Sequence, residues 1–157
     1  EKWTEIKEKN LNIKLHMIGK LQTNKVKFAV KLFDYIHSVD SEKLAKKISE
    51  EQLKQKKNLK IFIQVNIGDE QQKSGIDKSS VSDLYSYCKT LNLDVVGLMC
   101  IPPFEQPSDN FFKEMNVLNT NLNLNELSMG MSSDYLEAIK NSATYLRIGS
   151  NIFGQRS

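Results

Sequence analysis

Short apolar segments recur along the chain, and each is followed by a polar or glycine-containing stretch. Several of these segments carry β-branched and aromatic residues without regular polar alternation, which is typical of strands buried on both faces. We therefore predict six strands, at Ile13–Ile18, Phe33–Val39, Leu59–Asn66, Leu93–Met99, Glu126–Met131 and Thr144–Ile148.

The stretches between these strands have helical periodicity. Apolar side chains between Val81 and Leu91, for example, follow the spacing of one helix face. Serines precede three other helical stretches and are predicted as their N-caps, because a serine side chain accepts the free N–H groups of a first helical turn. These predicted caps are Ser41, Ser108 and either Ser132 or Ser133.

Six strands alternating with five helices predict an α/β fold with a parallel sheet and right-handed crossovers. A closed (β/α)8 TIM-type barrel has eight strands. We therefore expect residues 1–157 to form a single partial barrel domain whose first two βα units are missing. The chain begins with Glu1 in a helical pattern rather than with Met, which agrees with this expectation. An open, doubly wound six-stranded sheet is the alternative.

The composition favours a globular protein, since 39% of the 157 residues are hydrophobic and 26% are charged. No apolar run approaches the ~18 residues of a membrane helix. Cys88 and Cys100 lack CxxC spacing and are predicted to be free thiols in the cytoplasm. The net charge of +3 comes from dispersed lysines, so we predict a solvated surface and no nucleic-acid partner.

Polar motifs follow the strands and should therefore share the C-terminal edge of the sheet, where the sites of βα proteins lie. The last two motifs, SMGMSSD and RIGSNIFG, would follow strands seven and eight of a barrel, a frequent phosphate site. Their glycines allow close backbone approach, and Ser132 and Ser150 offer hydroxyl groups. The same serines and glycines would also serve as helix caps and turns.

Arg147 is one of two arginines among 22 basic residues, the other being Arg156. Strand alternation places Leu146 and Ile148 on one face and Arg147 on the other, so we expect Arg147 to point into the barrel. A buried guanidinium needs a partner, either a carboxylate or a ligand acceptor. A lysine could not reproduce its rigid fork of donors.

The motifs HMIGKLQTNK, IHSVDS, VNIGDEQQKSG, GLMCIPP, LSMGMSSD and YLRIGSNIFGQR occur in the order seen in the pyridoxal phosphate homeostasis proteins. The chain resembles this family from about Ile13 to Arg156. The resemblance implies an alanine-racemase-like barrel with pyridoxal 5′-phosphate (PLP) at its C-terminal mouth. It also implies a cytosolic cofactor carrier, without established turnover, that balances vitamin B6 and amino-acid pools. PLP-dependent apo-enzymes are the implied partners, and the full-length protein is expected to be a monomer.

The resemblance also implies a set of cofactor contacts. Arg147 would lie near the pyridine nitrogen, and a cation there keeps that nitrogen unprotonated, which suits a carrier better than a catalyst. The remaining implied residues are the phosphate ligands Ser128, Gly149 and Ser150, with Ser132 beside them, and the pocket-rim residues Asn24 and His16.

The lysine that forms the family's Schiff base lies on its first barrel strand, and no matching stretch occurs here. Lys20, Lys25 and Lys73 lie in loops at the expected edge, but we interpret them as surface residues. Two enzyme classes are alternatives. One is an amino-acid racemase or decarboxylase. The other is a sugar-phosphate isomerase whose base would be His16, His37, Asp40 or Asp69.

Overall fold

Six parallel strands form one sheet in the computed structural model, which describes residues 2–9, 12–70, 74–104 and 106–154. Each predicted strand is confirmed, and only β4 extends beyond its predicted range, by one residue. The strands are β1 His16–Met17, β2 Tyr35–Val39, β3 Lys60–Val65, β4 Asp94–Cys100, β5 Glu126–Met131 and β6 Tyr145–Arg147.

Helices connect the strands, as the periodicity predicts. α1 precedes the sheet, α2 to α6 link consecutive strands, and α7 follows β6. Within the described residues no helix is both long and apolar enough to cross a membrane. The helices are α1 Lys2–Glu8, α2 Val26–Leu32, α3 Glu42–Gln55, α4 Val81–Thr90, α5 Asp109–Asn121, α6 Tyr135–Lys140 and α7 Ser150–Phe153.

The predicted serine caps differ in outcome. Ser41 caps α3, since its hydroxyl accepts the Leu44 N–H at 3.4 Å. Ser108 precedes α5 but makes no capping hydrogen bond through its side chain. The prediction of Ser132 or Ser133 as the cap of α6 is wrong, because Asp134 occupies that position.

The strands lie in the spatial order β1-β2-β3-β4-β5-β6, and every neighbouring pair is parallel. A doubly wound sheet reverses its strand order at a switch point. The unbroken order therefore excludes the open-sheet alternative and agrees with a partial barrel.

Side chains pack in a layer on each face of the sheet. The outer layer packs strand residues against the helices and includes Ile36, Ile48, Leu84 and Phe112, all at most 1% exposed. An inner layer of aromatic rings fills the concave side. Its His16 ring lies 5.7 Å from that of Tyr145, measured between centroids, so residues of the edge strands β1 and β6 meet across the interior.

Candidate functional site

A cavity of about 380 Å³ opens between the edge strands β1 and β6, and it is called the interior cavity below. This volume lies in the range of ~300–1,000 Å³ that is usual for small-molecule sites. Two of the predicted cofactor residues on β6 and its loop, Arg147 and Gly149, contribute to its wall, as does His16 on β1. The described residues that line it are His16, Ile18, His37, Tyr145, Leu146, Arg147, Ile148 and Gly149.

Arg147 points into the barrel, as strand alternation predicts. Its Nη1 donates to Ser128 Oγ at 2.8 Å, and its Nη2 donates to the carbonyl oxygen of Cys100 at 2.7 Å. Both partners are neutral, whereas the sequence suggested a carboxylate or a ligand. Burial lowers the pKa of Arg147 from its ordinary value. An arginine nevertheless keeps its proton in proteins, so a positive charge lies beside the cavity.

Ser128 has different partners from those the sequence suggested. It lies on β5 and is fully buried, and its hydroxyl is bonded to Arg147 and, at 2.8 Å, to His37 Nδ1. Those contacts occupy the hydroxyl inside the barrel, and its role as a phosphate ligand stays a prediction from the family resemblance. Strand alternation directs Ser128 inward because its neighbour Leu127 packs in the outer core.

His37 joins the site although the sequence suggested it only as a base for the isomerase alternative. Its Nε2 lies 2.9 Å from His16 Nδ1, and its ring stacks on Phe62 with centroids 4.2 Å apart. Burial is the largest cause that lowers the pKa of His37 to about 3, and its electrostatic interactions with His16 and Arg147 contribute to the same shift. The signal in the sequence was the two-residue spacing from Tyr35, which puts both rings on the inner face.

His16 lies in β1, and it stacks on Tyr35 with centroids 4.1 Å apart. Burial lowers the pKa of His16, and the negative charge of Asp34 opposes this effect. Both imidazoles are therefore neutral near neutral pH. Tyr145 completes the ring cluster. A hydrogen bond to Tyr35 raises the pKa of Tyr145 to about 12, with burial acting in the same direction.

The loops after β5 and β6 meet at Ser132. Its hydroxyl accepts the N–H of Gly149 at 3.3 Å and the N–H of Asn151 at 3.4 Å. The Asn151 side chain also donates to the Ser132 carbonyl oxygen at 3.1 Å. A side chain at Gly149 would meet no atom of the described residues within 4 Å, so the backbone there has room for a ligand. Ser150 is exposed beside it.

Asn24 does not join this group. It is exposed in the 3-10 turn Thr23–Lys25 and lines a separate depression with Lys43, Lys46 and Lys47. Lys20 and Lys25 are exposed, as predicted, and neither lines the interior cavity. Lys73 and Arg156 lie outside the described residues.

Both cysteines are free and buried. Burial raises the pKa of each thiol to about 12, so neither is a reactive nucleophile at neutral pH. In the part of the chain that the structure describes, no three His, Cys, Asp or Glu side chains are grouped to hold a metal ion.

Residues 3–157 match the family model described as "Alanine racemase, N-terminal domain". The chain belongs to this family. It is 39% identical to the pyridoxal phosphate homeostasis protein of Aquifex aeolicus (strain VF5), over 94% of this chain and 69% of that protein. The protein of the same name from Pasteurella multocida (strain Pm70) is 36% identical, over 99% of this chain and 72% of its own length.

Solved structures agree with this family assignment. PipY of Synechococcus elongatus PCC7942, solved with PLP bound, superposes with a TM-score of 0.89 at 31% identity, over 98% of this chain and 76% of PipY. Alanine racemase of Clostridium difficile 630 superposes with a TM-score of 0.76 at 14% identity, over 98% of this chain and 42% of the enzyme. This second likeness shows that the family shares the racemase barrel fold.

Proposed function

We propose that the chain binds PLP at the interior cavity and acts as a cofactor carrier in vitamin B6 and amino-acid homeostasis rather than as a catalyst. One observation carries the proposal: a half-buried guanidinium and a cluster of backbone N–H groups lie at adjoining parts of one cavity. Gly149 joins them, since it lines the cavity and its N–H meets Ser132. The names of the relatives and the PLP bound to PipY support the same ligand.

The loop cluster suits the phosphate of PLP. Gly149 and Asn151 direct their N–H groups to one point, which the Ser132 hydroxyl occupies. Phosphate oxygens accept hydrogen bonds from backbone N–H groups and hydroxyls, and they are bound well by such convergent donors. The open backbone at Gly149 allows the close approach that these bonds require. In this proposal Ser132, Gly149 and Ser150 hold the phosphate.

Arg147 suits the other end of the ligand. A guanidinium has five N–H donors, and the two hydrogen bonds to Ser128 and Cys100 leave others for the cavity. A ring nitrogen facing them must be unprotonated in order to accept. When bound, PLP supplies an aldehyde and an electron-withdrawing ring, and an unprotonated ring nitrogen weakens that electron withdrawal. This electronic effect favours a carrier over a racemase or a decarboxylase.

The isomerase alternative has less support. A general base works best with a pKa near the operating pH, whereas the pKa of His37 is about 3. His16 is hydrogen-bonded to His37 through Nδ1, so that nitrogen is not free for a substrate. The cytoplasmic location, the apo-enzyme partners and the monomeric state stay predictions from the sequence.

Replacement of Ser132 tests the proposed phosphate site. We expect Ser132→Ala to weaken PLP binding roughly five- to tenfold, because one hydroxyl contact is worth about 1 kcal/mol and the loops also lose their link. Ser133→Ala is the matched control, since Ser133 is the exposed neighbouring serine. Fluorescence titration with PLP measures both dissociation constants. Equal affinities of the two variants would contradict the site.

A further inference from the structure

Four side chains from four strands form a continuous line of hydrogen bonds across the interior. It runs from Arg147 on β6 to Ser128 on β5 at 2.8 Å, then to His37 on β2 at 2.8 Å, and ends at His16 on β1 at 2.9 Å. This set of four residues is called the relay below. It links the cationic wall of the interior cavity to the opposite edge strand.

The chemistry of the donors gives the relay one direction. A guanidinium can only donate, so Ser128 Oγ is the acceptor of its bond with Arg147. The hydroxyl proton of Ser128 then needs an acceptor, and His37 Nδ1 lies in reach. A neutral imidazole carries one N–H, which for His37 must be at Nε2. That N–H donates to His16 Nδ1, so the proton of neutral His16 is on Nε2.

We propose that Ser128 and His37 are positioning residues that fix the tautomer of His16, so that His16 presents Nε2–H as a donor at the interior cavity. The bound group that it recognises is an acceptor, either an anionic oxygen or an unprotonated ring nitrogen. The identification of this ligand as PLP rests on the proposed function, whereas the order of the relay does not.

The opposite direction of the relay is disfavoured. A proton on His16 Nδ1 would face the N–H of His37 across 2.9 Å. If the His37 proton were on Nδ1 instead, Ser128 would accept hydrogen bonds from both Arg147 and His37. The hydroxyl proton of Ser128 would then have lost its acceptor at a fully buried position.

The charged groups acting on the two histidines are Arg147 and Asp34, and Asp34 is paired with Lys7 at 3.0 Å. Burial lowers the pKa of both imidazoles, which agrees with two neutral rings.

Nitrogen-15 NMR of the imidazole rings tests the relay directly, because the chain has only two histidines. We expect both to be Nε2–H tautomers near neutral pH. His37 as the Nδ1–H tautomer, or a doubly protonated ring near neutral pH, would overturn the proposal. His16→Gln assigns the two sets of signals.

Ser128→Ala tests whether the hydrogen bond from Arg147 sets the tautomer of His37 through the Ser128 hydroxyl. We expect His37 to become a mixture of tautomers, while Ser128→Thr, which keeps the hydroxyl, restores the single Nε2–H form. The matched control is Ser38→Ala. Ser38 is also a buried strand serine, on β2 instead of β5, and its hydroxyl has no hydrogen bond among the described residues. A single unchanged tautomer in Ser128→Ala would overturn the role of Ser128.

Addition of PLP tests whether PLP is the ligand that His16 contacts, independently of whether the relay exists. We expect PLP to shift the His16 Nε2 signal, and Ser128→Ala to bind PLP roughly three- to tenfold more weakly than Ser38→Ala. Bound PLP that leaves the Nε2 signal unmoved would overturn the donor role of His16. If PLP does not bind at all, the proposed function fails, and the tautomers still decide whether the relay exists.

Discussion

At the scale of residues, Arg147 was predictable and its partners were not. Its residue type and its place between Leu146 and Ile148 indicated an inward side chain in need of acceptors. The acceptors come from β4 and β5, far away in sequence, and one is a main-chain carbonyl that no side-chain pattern reveals. Ser128 was assigned to the phosphate by the family resemblance, and its hydrogen bonds to Arg147 and His37 could not be predicted from the motif.

The buried His37 predicts a dependence of stability on pH. Its pKa is about 3 in the folded chain against an ordinary value of 6.5, so the unfolded chain binds more protons between these limits. Stability that is present above pH 6.5 is therefore lost as the pH falls towards 3. By about pH 4.5 the loss from this one group is on the order of 2–3 kcal/mol.

His37→Gln is the matched variant, since glutamine has an acceptor and a donor but does not titrate in this range. Urea unfolding at about pH 7.5 and about pH 4.5 gives the loss of unfolding free energy for each chain. We expect this loss to be about 2–3 kcal/mol smaller in His37→Gln than in the wild type. The same loss in both chains would show that His37 is not buried in its neutral form.

At the scale of elements, the apolar segments predicted every strand because burial on both faces leaves a strong local signal. The strand β1 is the weakest case, with two of its six predicted residues in the sheet. Among the described residues it pairs only with β2, so fewer hydrogen bonds hold its ends. The serines show the limit of local patterns. Ser132 looked like a cap, but its hydroxyl accepts from a loop that follows the next strand.

Two predicted N-caps, Ser41 and Ser108, differ in whether the side chain makes a capping hydrogen bond, and this difference predicts different effects on stability. Ser41→Ala removes the acceptor of the Leu44 N–H at the start of α3 and should lower the unfolding free energy by about 1 kcal/mol. Ser108→Ala is the control and should change it by less than about 0.5 kcal/mol, because that side chain makes no capping bond. The midpoints of urea unfolding, compared at an unchanged m-value, give the change in unfolding free energy of each variant. Equal losses would mean that Ser41 does not act as a cap.

At the scale of the whole molecule, the sequence predicted the barrel class, but the closeness of the two sheet edges emerges only from the packing. His16 and Tyr145 meet because the curved sheet brings β1 towards β6. A closed barrel has eight strands, and its further two would stand between these edges. They would therefore border the interior cavity, which is the position where the family resemblance places the lysine that binds the cofactor.

The most direct test of the account is a comparison of PLP with pyridoxal, which lacks the phosphate, as ligands of the chain. We would measure both dissociation constants by fluorescence titration and repeat the PLP titration with added inorganic phosphate. The account predicts that PLP binds at least roughly tenfold more tightly than pyridoxal and that phosphate competes with it, since the loop cluster at Ser132 holds the phosphate. Equal affinities for PLP and pyridoxal, with no competition by phosphate, would contradict it.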